Sequence, residues 1–450
     1  ANSLAFIIDH QNVKATFNQF SDHVNRLAYS LKNNLNLKNG DKIAIWSGNC
    51  YEWLVIQHAA FRAGLVVSSL SPLYKQHELS YALKKVKVEA LFLPGSESKQ
   101  SFINDFHGIF QKAELDEIRK ILKHLIFIDG NNTAPNFQGF EVHFLDKLLE
   151  NGRNRSEDSK ISVSPDDPAA LFFTSGTTGK SKAALISHYH MSNSVNFFLA
   201  KNIRLEGPVS VPLPLFHAYA GVGSIYPLRH CRTIVFNNYW FDIKSTLDSI
   251  IKNNCAELWA VPTMVFNLCE YIEATNNKVD SLQRILMGGA PVYESLIKKV
   301  KRIIPNIKEI AVAYGSTEFG IENSEENVLK TVGQVTDHVS LKIVDPITKK
   351  IVKVGEQGEI WVKGYSRMLG YYEDEEKTRE VIDQSGWYNM GDLGVLDENG
   401  YLKIVGRTKE MIIRGGINLF PKEIEDVIIT HPDVAEAYVK KNSNFKNNFS

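Results

Sequence analysis

Residues 171–182 read Leu-Phe-Phe-Thr-Ser-Gly-Thr-Thr-Gly-Lys-Ser-Lys, an apolar run that passes directly into hydroxyl residues, glycines and two lysines. Glycines allow backbone N–H groups to turn toward one point, hydroxyls add hydrogen-bond donors, and lysines add positive charge. These properties suit phosphate oxygens, so the run predicts a strand followed by a phosphate-binding loop. The candidate contacts are Thr174, Ser175, Gly176, Thr177, Thr178, Gly179, Lys180 and Lys182.

Two other interpretations of this run were weighed. A single Ser-Gly-Thr triplet is usually an ordinary polar turn, and the length of the whole run is what favours phosphate binding. The P-loop of nucleotide triphosphatases shares the ending Gly179-Lys180-Ser181, but it requires a glycine five positions before Gly179. Thr174 stands at that position, which argues against a P-loop.

The sequence around the loop predicts an α/β fold. Apolar periodicity predicts helices at residues 21–35 and 53–63, with strands at 42–46 and 65–67. This alternation favours largely parallel sheets, and we expect two such α/β subdomains in a large N-terminal domain. From Thr331 onward, short strands such as 340–344 and 359–362 predict a β-rich subdomain. A linker and hairpin at 406–416 and a helix from Pro421 would begin a small α+β C-terminal domain.

Composition excludes several classes of protein. The 51 basic and 51 acidic residues balance, so no basic surface for nucleic acid is expected. The four cysteines form no CxxC pair and are too sparse for a disulfide framework, which favours a reducing intracellular compartment. The longest uncharged apolar stretch, residues 211–228, is interrupted by three prolines and His217, and it does not resemble a transmembrane helix.

Further candidate motifs follow the loop. They are Pro214 to Gly221 around His217, Gly288-Gly289-Ala290-Pro291, Tyr314-Gly315-Ser316-Thr317-Glu318, Trp387 to Leu393, Gly406 to Ile412, and Gly415-Gly416-Ile417-Asn418. Each is weak when taken alone. An isolated histidine more often packs in the protein, and an isolated glutamate after a strand is usually an exposed loop charge.

Taken together and in this order, the motifs resemble the adenylate-forming superfamily of acyl-CoA synthetases, carrier-loading adenylation domains and luciferases. The phosphate loop of that superfamily reads Thr-Ser-Gly-Thr-Thr-Gly-x-Pro-Lys-Gly, and this chain matches it from Thr174 to Gly179 and at Lys182. It departs at Ser181, where proline is usual, and at Ala183, where glycine is usual. We expect Ala183 to limit how closely the backbone approaches a phosphate.

The resemblance implies roles for residues in the middle of the chain. Lys182 would hold the β- and γ-phosphates of ATP, and His217 would lie beside the acyl carboxylate. Gly289, Ala290 and Pro291 would line the adenine pocket. Tyr314 would offer its ring to adenine, Thr317 would lie near the α-phosphate, and Glu318 would bind Mg²⁺.

It also implies roles near the end of the chain. Asp392 would accept hydrogen bonds from both ribose hydroxyls, in a motif where Met390 replaces the usual threonine. Arg407 would reach the ribose or a phosphate, and Lys409 would be the hinge of the C-terminal domain. Gly415 and Gly416 would approach the pantetheine arm of coenzyme A.

Within the superfamily, residues 49–53, 83–86, 187–189 and 405–416 resemble medium-chain acyl-CoA synthetases of the mitochondrial type. That resemblance implies a ligase that uses ATP, Mg²⁺ and coenzyme A to activate a fatty carboxylic acid through an acyl-adenylate. It also makes a mitochondrial location an expectation, although no targeting peptide is visible. Two alternatives stay open: an adenylation domain that loads a carrier protein, and a catalytically impaired homologue that binds nucleotide or acyl chain.

The resemblance predicts an AMP-binding N-terminal domain at residues 1–405 and an incomplete C-terminal domain at 406–450. The family places an essential lysine near the end of that second domain, and the sequence up to Ser450 has no counterpart. The chain is therefore interpreted as a fragment of a longer enzyme or as a natural truncation, with the fragment preferred. For this chain alone we predict slow formation of acyl-AMP.

Overall fold

The computed structural model describes residues 2–95, 115–129, 137, 139–154, 162–174, 181–194, 206–317, 319–323, 331–408, 412–414, 417–419, 421–428, 431, 434, 437 and 439. Its strands are β1 (Leu4–Ile8), β2 (Val13–Thr16), β3 (Lys42–Trp46), β4 (Val66–Leu70), β5 (Val88–Leu93), β6 (His124–Phe127), β7 (Glu141–Phe144), β8 (Pro168–Thr174), β9 (Lys182–Ser187), β10 (Val209–Ser210), β11 (Ile234–Phe236), β12 (Glu257–Ala260), β13 (Arg284–Gly288), β14 (Glu309–Ser316), β15 (Phe319–Asn323), β16 (Ser340–Val344), β17 (Gln357–Lys363), β18 (Gly370–Tyr371), β19 (Tyr388–Leu396), β20 (Leu402–Arg407), β21 (Ile412–Arg414) and β22 (Ile417–Leu419). Its helices are α1 (Phe17–Asn33), α2 (Tyr51–Arg62), α3 (Gln76–Val86), α4 (Leu115–Ile121), α5 (Leu145–Asn151), α6 (His188–Asn193), α7 (Ala218–Gly223), α8 (Ile225–Arg229), α9 (Ile243–Lys252), α10 (Pro262–Thr275), α11 (Glu294–Ile303), α12 (Glu375–Val381) and α13 (Pro421–Ile428). Short 3₁₀ helices cover Asp9–Gln11 and Gly152–Asn154.

The strands form two large sheets and one small one. Sheet I has the order β18-β9-β8-β4-β3-β5-β6-β7 and is parallel from β8 to β7, with β9 and β18 antiparallel at one edge. Sheet II has the order β15-β14-β13-β12-β10-β11-β1-β2 and is parallel except at its two edge strands. Sheet III is the antiparallel sheet β16-β17-β19-β20, and β21 and β22 form a separate hairpin. The predicted α/β class, with parallel sheets and a β-rich part after residue 331, is confirmed.

Helices α1 and α2 pack in an apolar core shared by sheets I and II. Trp53 of α2 is fully buried in one cluster with Ile45 of sheet I and Phe236 of sheet II. The next residue of β3, Trp46, faces the opposite side of sheet I, because side chains alternate along a strand. Among the described helices, none is both long and apolar enough to cross a bilayer.

The observed helices begin earlier than the apolar pattern predicts. Helix α1 begins at Phe17 rather than residue 21, because Thr16 and Gln19 form reciprocal hydrogen bonds of 3.2 and 2.9 Å across its first turn. Helix α2 begins at Tyr51 rather than residue 53, because the Cys50 Sγ accepts a hydrogen bond from the Trp53 N–H. Polar and capping residues in a first turn carry no apolar period, so periodicity alone misses them.

The strands are matched more closely. Strands β3 and β16 have the predicted bounds, and β17 contains the predicted 359–362. Strand β4 covers 66–70 instead of 65–67, because its buried serines Ser68 and Ser69 continue the strand inside a sheet covered on both faces.

The region after residue 405 differs partly from the prediction. Gly406 and Arg407 complete β20 instead of starting a linker, so the proposed boundary between residues 405 and 406 lies inside a strand of sheet III. The predicted hairpin is present as β21 and β22, and the predicted helix begins at Pro421.

Candidate nucleotide and acyl-binding site

The hairpin β8–β9 carries the ends of the predicted phosphate loop. Thr174 and Lys182 pair directly across the two strands. Because side chains alternate, Thr174 shares a face with Phe172 and Lys182 shares a face with Ala184. Both of these residues belong to the apolar cluster between sheets I and III, so Thr174 and Lys182 project toward that side of sheet I. Residues 175–180, which include Ser175, Gly176, Thr177, Thr178, Gly179 and Lys180, lie outside the described residues.

The Lys182 ammonium lies over an aromatic ring. Its Nζ is 4.6 Å from the ring centroid of Tyr371, which belongs to β18 at the edge of the same sheet. A cation above an aromatic face is attracted by the ring quadrupole. Tyr371 therefore holds the lysine at the base of the loop, a contact that sequence motifs did not suggest.

The Ala183 side chain lies on the face of sheet I opposite to that of Thr174 and Lys182. It is buried there, in the apolar cluster that contains Leu171 and Trp46. In this structure its methyl group fills core space. The expectation that Ala183 limits the approach of a phosphate has no support from the direction of its side chain.

His217 immediately precedes α7, and a buried asparagine orients the segment before it. The Asn49 side chain donates to the Leu213 carbonyl at 2.9 Å and accepts from the Leu215 N–H at 2.8 Å. The His217 ring lies against Phe216, with 4.2 Å between ring centroids, and keeps an exposed edge. Desolvation by the surrounding protein lowers the pKa of His217, which favours its neutral form at pH 7.

Helix α7 lies between the two large sheets at close range. A Cβ on Gly221 would be 3.2 Å from the Phe172 ring of sheet I and 2.7 Å from the Leu215 carbonyl, so glycine allows this approach. On the other side, the Tyr219 hydroxyl donates to the Leu286 carbonyl of β13 at 3.2 Å. The helix therefore links the hairpin β8–β9 to sheet II.

The ends of β13 and β14 bring two motifs side by side. Gly288 pairs with Ala313 in parallel register, so Gly289, Ala290 and Pro291 leave sheet II next to Tyr314. Gly289 has a φ of +81°, and Ala290 and Pro291 are exposed. Carboxyl ends of parallel strands are the usual edge for ligand binding in such sheets. Thr317 follows β14 in a turn, and Glu318 lies outside the described residues.

Tyr314, Asp392 and Arg407 form one polar cluster between sheets II and III. The Tyr314 hydroxyl donates to Asp392 Oδ2 at 2.5 Å, and Arg407 Nε lies 3.5 Å from Asp392 Oδ1. Burial and the neighbouring carboxylate raise the pKa of Tyr314 well above its usual range, so its hydroxyl remains a donor. A carboxylate offers about four acceptor positions, so Asp392 can accept hydrogen bonds from several donors.

The same apolar cluster joins these parts. Its buried members include Phe172 of β8, Tyr371 beneath Lys182, and Tyr388 of β19. Tyr314 and Met390 pack against it. The β8–β9 hairpin and the motif at residues 387–393, which are separated by more than two hundred residues, therefore lie against the same apolar cluster. Lys409, Gly415 and Gly416 lie outside the described residues.

Sequence reasoning missed three supporting residues. Tyr371, Tyr219 and Asn49 act through an aromatic face or through hydrogen bonds to backbone carbonyl or N–H groups of distant segments. Asn49 lies in the segment 49–53, which carries part of the family resemblance, but nothing in the sequence indicated its two partners.

Two large, mostly parallel sheets packed with helices and one small antiparallel sheet form the architecture that this chain shares with solved adenylate-forming enzymes. The chain belongs to the AMP-binding enzyme family, whose sequence pattern matches residues 2–372. The chain is 32% identical to the mitochondrial medium-chain acyl-CoA ligase ACSF2 of Bos taurus, over 97% of this chain and 73% of that protein. It is 30% identical to the putative acyl-CoA synthetase YngI of Bacillus subtilis (strain 168), over 97% of this chain and 81% of that protein.

Solved structures agree with this membership. ATP-bound MatB from Rhodopseudomonas palustris superposes with a TM-score of 0.80 at 26% identity, covering 98% of this chain and 82% of that chain. The o-succinylbenzoate coenzyme A synthetase MenE from Bacillus subtilis, in complex with ATP and a magnesium ion, has a TM-score of 0.77 at 26% identity. That alignment covers 98% of this chain and 84% of MenE.

Proposed function

We propose that this protein is an ATP-dependent fatty acid–coenzyme A ligase that works through an acyl-adenylate, with a medium-chain acid as substrate. The observation that carries the proposal is the convergence of the Thr174–Lys182 hairpin with the Tyr314–Asp392–Arg407 cluster across one apolar cluster. The hairpin offers a cation and hydroxyls suited to phosphates. The polar cluster offers a buried carboxylate suited to a ribose.

ATP would bind with its two ends in these two places. Lys182 would move from the Tyr371 ring to the β- and γ-phosphates, together with the loop from Thr174 to Lys180. Asp392 would accept hydrogen bonds from the ribose hydroxyls, while Tyr314 and Arg407 keep its carboxylate oriented. Residues Gly289 to Pro291 would border the adenine.

The chemistry activates a carboxylate that is otherwise a poor acyl donor. One carboxylate oxygen attacks the α-phosphorus of ATP, the bond to the bridging oxygen breaks, and pyrophosphate leaves. Coenzyme A thiolate then attacks the acyl carbon of the mixed anhydride and AMP leaves. The protein contributes positioning and charge neutralisation, as in phosphoryl transfer generally. A neutral His217 would adjoin the acyl carboxylate without adding a charge.

Magnesium would be held where β14 ends. The Glu318 carboxylate supplies oxygen, the ligand type that Mg²⁺ prefers, and ATP phosphates would complete the coordination, with the Thr317 hydroxyl near the α-phosphate. When bound, the ion offsets negative charge on the phosphates.

The second half-reaction is assigned to the region after β20. Lys409 would act as the hinge, and Gly415 and Gly416 beside β21 and β22 would approach the pantetheine arm. Because β20 of sheet III extends to Arg407, the hinge follows directly after a paired strand. A rigid strand next to a hinge would give the moving part a defined axis.

The proposed fatty acid substrate and the proposed compartment are inferred from similar proteins. Medium-chain acyl-CoA ligases of several vertebrates are 30–32% identical to this chain, and their names carry the designation mitochondrial. We extend both the medium-chain substrate and the mitochondrial location to this protein. Subcellular fractionation that leaves the protein outside mitochondria would refute the location.

Calorimetric titration with ATP tests the nucleotide site. In the variant Asp392→Asn we expect the Kd for ATP to rise about 100-fold, since charge-assisted hydrogen bonds to the ribose contribute roughly 3 kcal/mol. The control Asp248→Asn, which loses an exposed carboxylate on α9, should bind ATP as the unmodified protein does. Equal affinities for all three proteins would contradict the assignment of Asp392.

Product analysis tests the reaction and separates the alternatives. Incubation with MgATP, coenzyme A and octanoate, decanoate or dodecanoate should release pyrophosphate and form the thioester, with acetate and palmitate as poorer substrates. Acyl-AMP without thioester would favour a carrier-loading domain. ATP binding without acyl-AMP would favour a non-catalytic binder.

A further inference from the structure

Two histidines and a glutamate meet at the outer edge of sheet I. Strands β6 and β7 are parallel, and His124 pairs with Glu141 while Ile126 pairs with His143. Glu141 and His143 are two residues apart on β7, so their side chains lie on the same face. His124 is buried, His143 is half-buried and Glu141 is exposed, which leaves the cluster open to solvent on one side.

The donor atoms are spaced as ligands of one ion. His124 Nδ1 lies 3.2 Å from His143 Nε2 and 3.3 Å from Glu141 Oε2, and the latter two atoms are 3.8 Å apart. A tetrahedral ion with bonds of about 2.0–2.1 Å would hold its ligand atoms roughly 3.3 Å apart. Little movement is needed for all three groups to bind one ion.

The facing atoms of the cluster favour a cation at this point. The His124 Nδ1 faces both the His143 Nε2 and a Glu141 carboxylate oxygen. A ring nitrogen without a proton carries a lone pair, and an ionised carboxylate oxygen carries lone pairs only. One cation between the three groups would bind all of these lone pairs together.

The chemistry of the three side chains also suits a metal ion. Imidazole nitrogens and carboxylate oxygens are common metal ligands in proteins. Among the described residues, the ligand atoms of His124, Glu141 and His143 all lie within 4.8 Å of one another.

We propose that His124, Glu141 and His143 bind a divalent transition-metal ion of the zinc type, with water in the remaining position. Imidazole nitrogens suit Zn²⁺, whereas Mg²⁺ prefers oxygen ligands. In the order of sheet I, β6 is four strands from β8, about 19 Å at the usual strand spacing, so the ion is separate from the hairpin β8–β9. It cross-links edge strand β7 to β6 and takes no part in adenylation.

Metal titration of the chelator-treated protein tests this site. Zn²⁺ should bind with a stoichiometry of one by calorimetry, and Co²⁺ should give the visible absorption bands of a tetrahedral site. Added Mg²⁺ should not compete. Loss of a hydrogen bond that supports a metal ligand typically lowers metal affinity about 10–100-fold. The variants His143→Ala and Glu141→Gln each lose a ligand, so their Kd for Zn²⁺ should rise by more than that.

A matched variant and a second readout keep the test decisive. His77→Ala removes an exposed histidine of α3 elsewhere and should bind Zn²⁺ normally. Zn²⁺ should raise the melting temperature of the unmodified protein and of His77→Ala, but not of His143→Ala. Zinc binding that is absent, or that survives in both cluster variants, would overturn the proposal.

Discussion

Asn49 holds the backbone segment that leads to His217. Its buried amide bridges the Leu213 carbonyl and the Leu215 N–H, which lie on either side of Pro214. Proline has no N–H to donate, so this segment has few backbone bonds of its own. A side chain from α2's N-terminal boundary supplies them instead.

We expect Asn49→Ala to reduce the free energy of unfolding by about 3 kcal/mol, because it leaves a buried N–H and a buried carbonyl without partners. Urea denaturation measures this loss. Asn193→Ala, which removes an exposed hydrogen bond to the Tyr189 carbonyl, is the control and should cost less than about 1 kcal/mol. Similar losses in the two variants would contradict the role given to Asn49.

At the scale of elements, three neighbouring strands of sheet II are joined by a buried ionic network. Arg284 of β13 contacts Glu257 of β12 and Glu309 of β14, each at 2.7 Å. Arg232 and the Trp259 indole N–H also bind Glu257, at 2.5 and 2.7 Å. Strand register places the three charged residues opposite one another, so the network ties the amino ends of the strands together.

Arg284→Met should reduce the free energy of unfolding by about 3–5 kcal/mol, since it leaves two buried carboxylates with fewer partners. The exposed pair of Arg302 with Glu273 provides the comparison, and Arg302→Met should cost less than about 1 kcal/mol. Both values come from urea denaturation at pH 7. If Arg284→Met is as mild as the surface variant, the network does not stabilise sheet II.

At the scale of the whole molecule, α6 packs against the segment that joins β17 of sheet III to β18 of sheet I. Met191 of α6 and Met368 of that segment are buried in one apolar cluster, and the neighbouring His190 is buried as well. Burial lowers the pKa of His190 to about 4 from 6.5. The folded protein therefore resists protonation at a junction between its sheets.

This junction predicts a loss of stability in mild acid. As pH falls below 6.5, the unfolded chain binds a proton at His190 before the folded protein does. The contribution is fully present above pH 6.5 and is lost as pH falls toward 4, by on the order of 3 kcal/mol. Urea midpoints measured between these pH values should fall less steeply in His190→Gln, whereas exposed His77→Gln should keep the original slope. An unchanged slope in His190→Gln would refute the prediction.

The fold was predictable where the signal is local. Strands β3 and β16 follow from short runs of apolar and β-branched residues, and the helix at Pro421 follows from proline in a first turn. The starts of α1 and α2 were missed because Thr16, Gln19 and Cys50 act through capping hydrogen bonds, which leave no apolar period. The extension of β20 to Arg407 was missed because its glycine and charged residues form a strand through pairing with β19.

By itself, the sequence determined the family of this protein and predicted a phosphate-binding loop, since both depend on residue types that are adjacent in the chain. Tertiary structure decided the contact between Tyr314 and Asp392, 78 residues apart, and the meeting of His124 with Glu141 and His143. The physical reason is register: a shift of one residue in a strand pair turns every side chain to the opposite face, and that register is set by packing across the whole molecule.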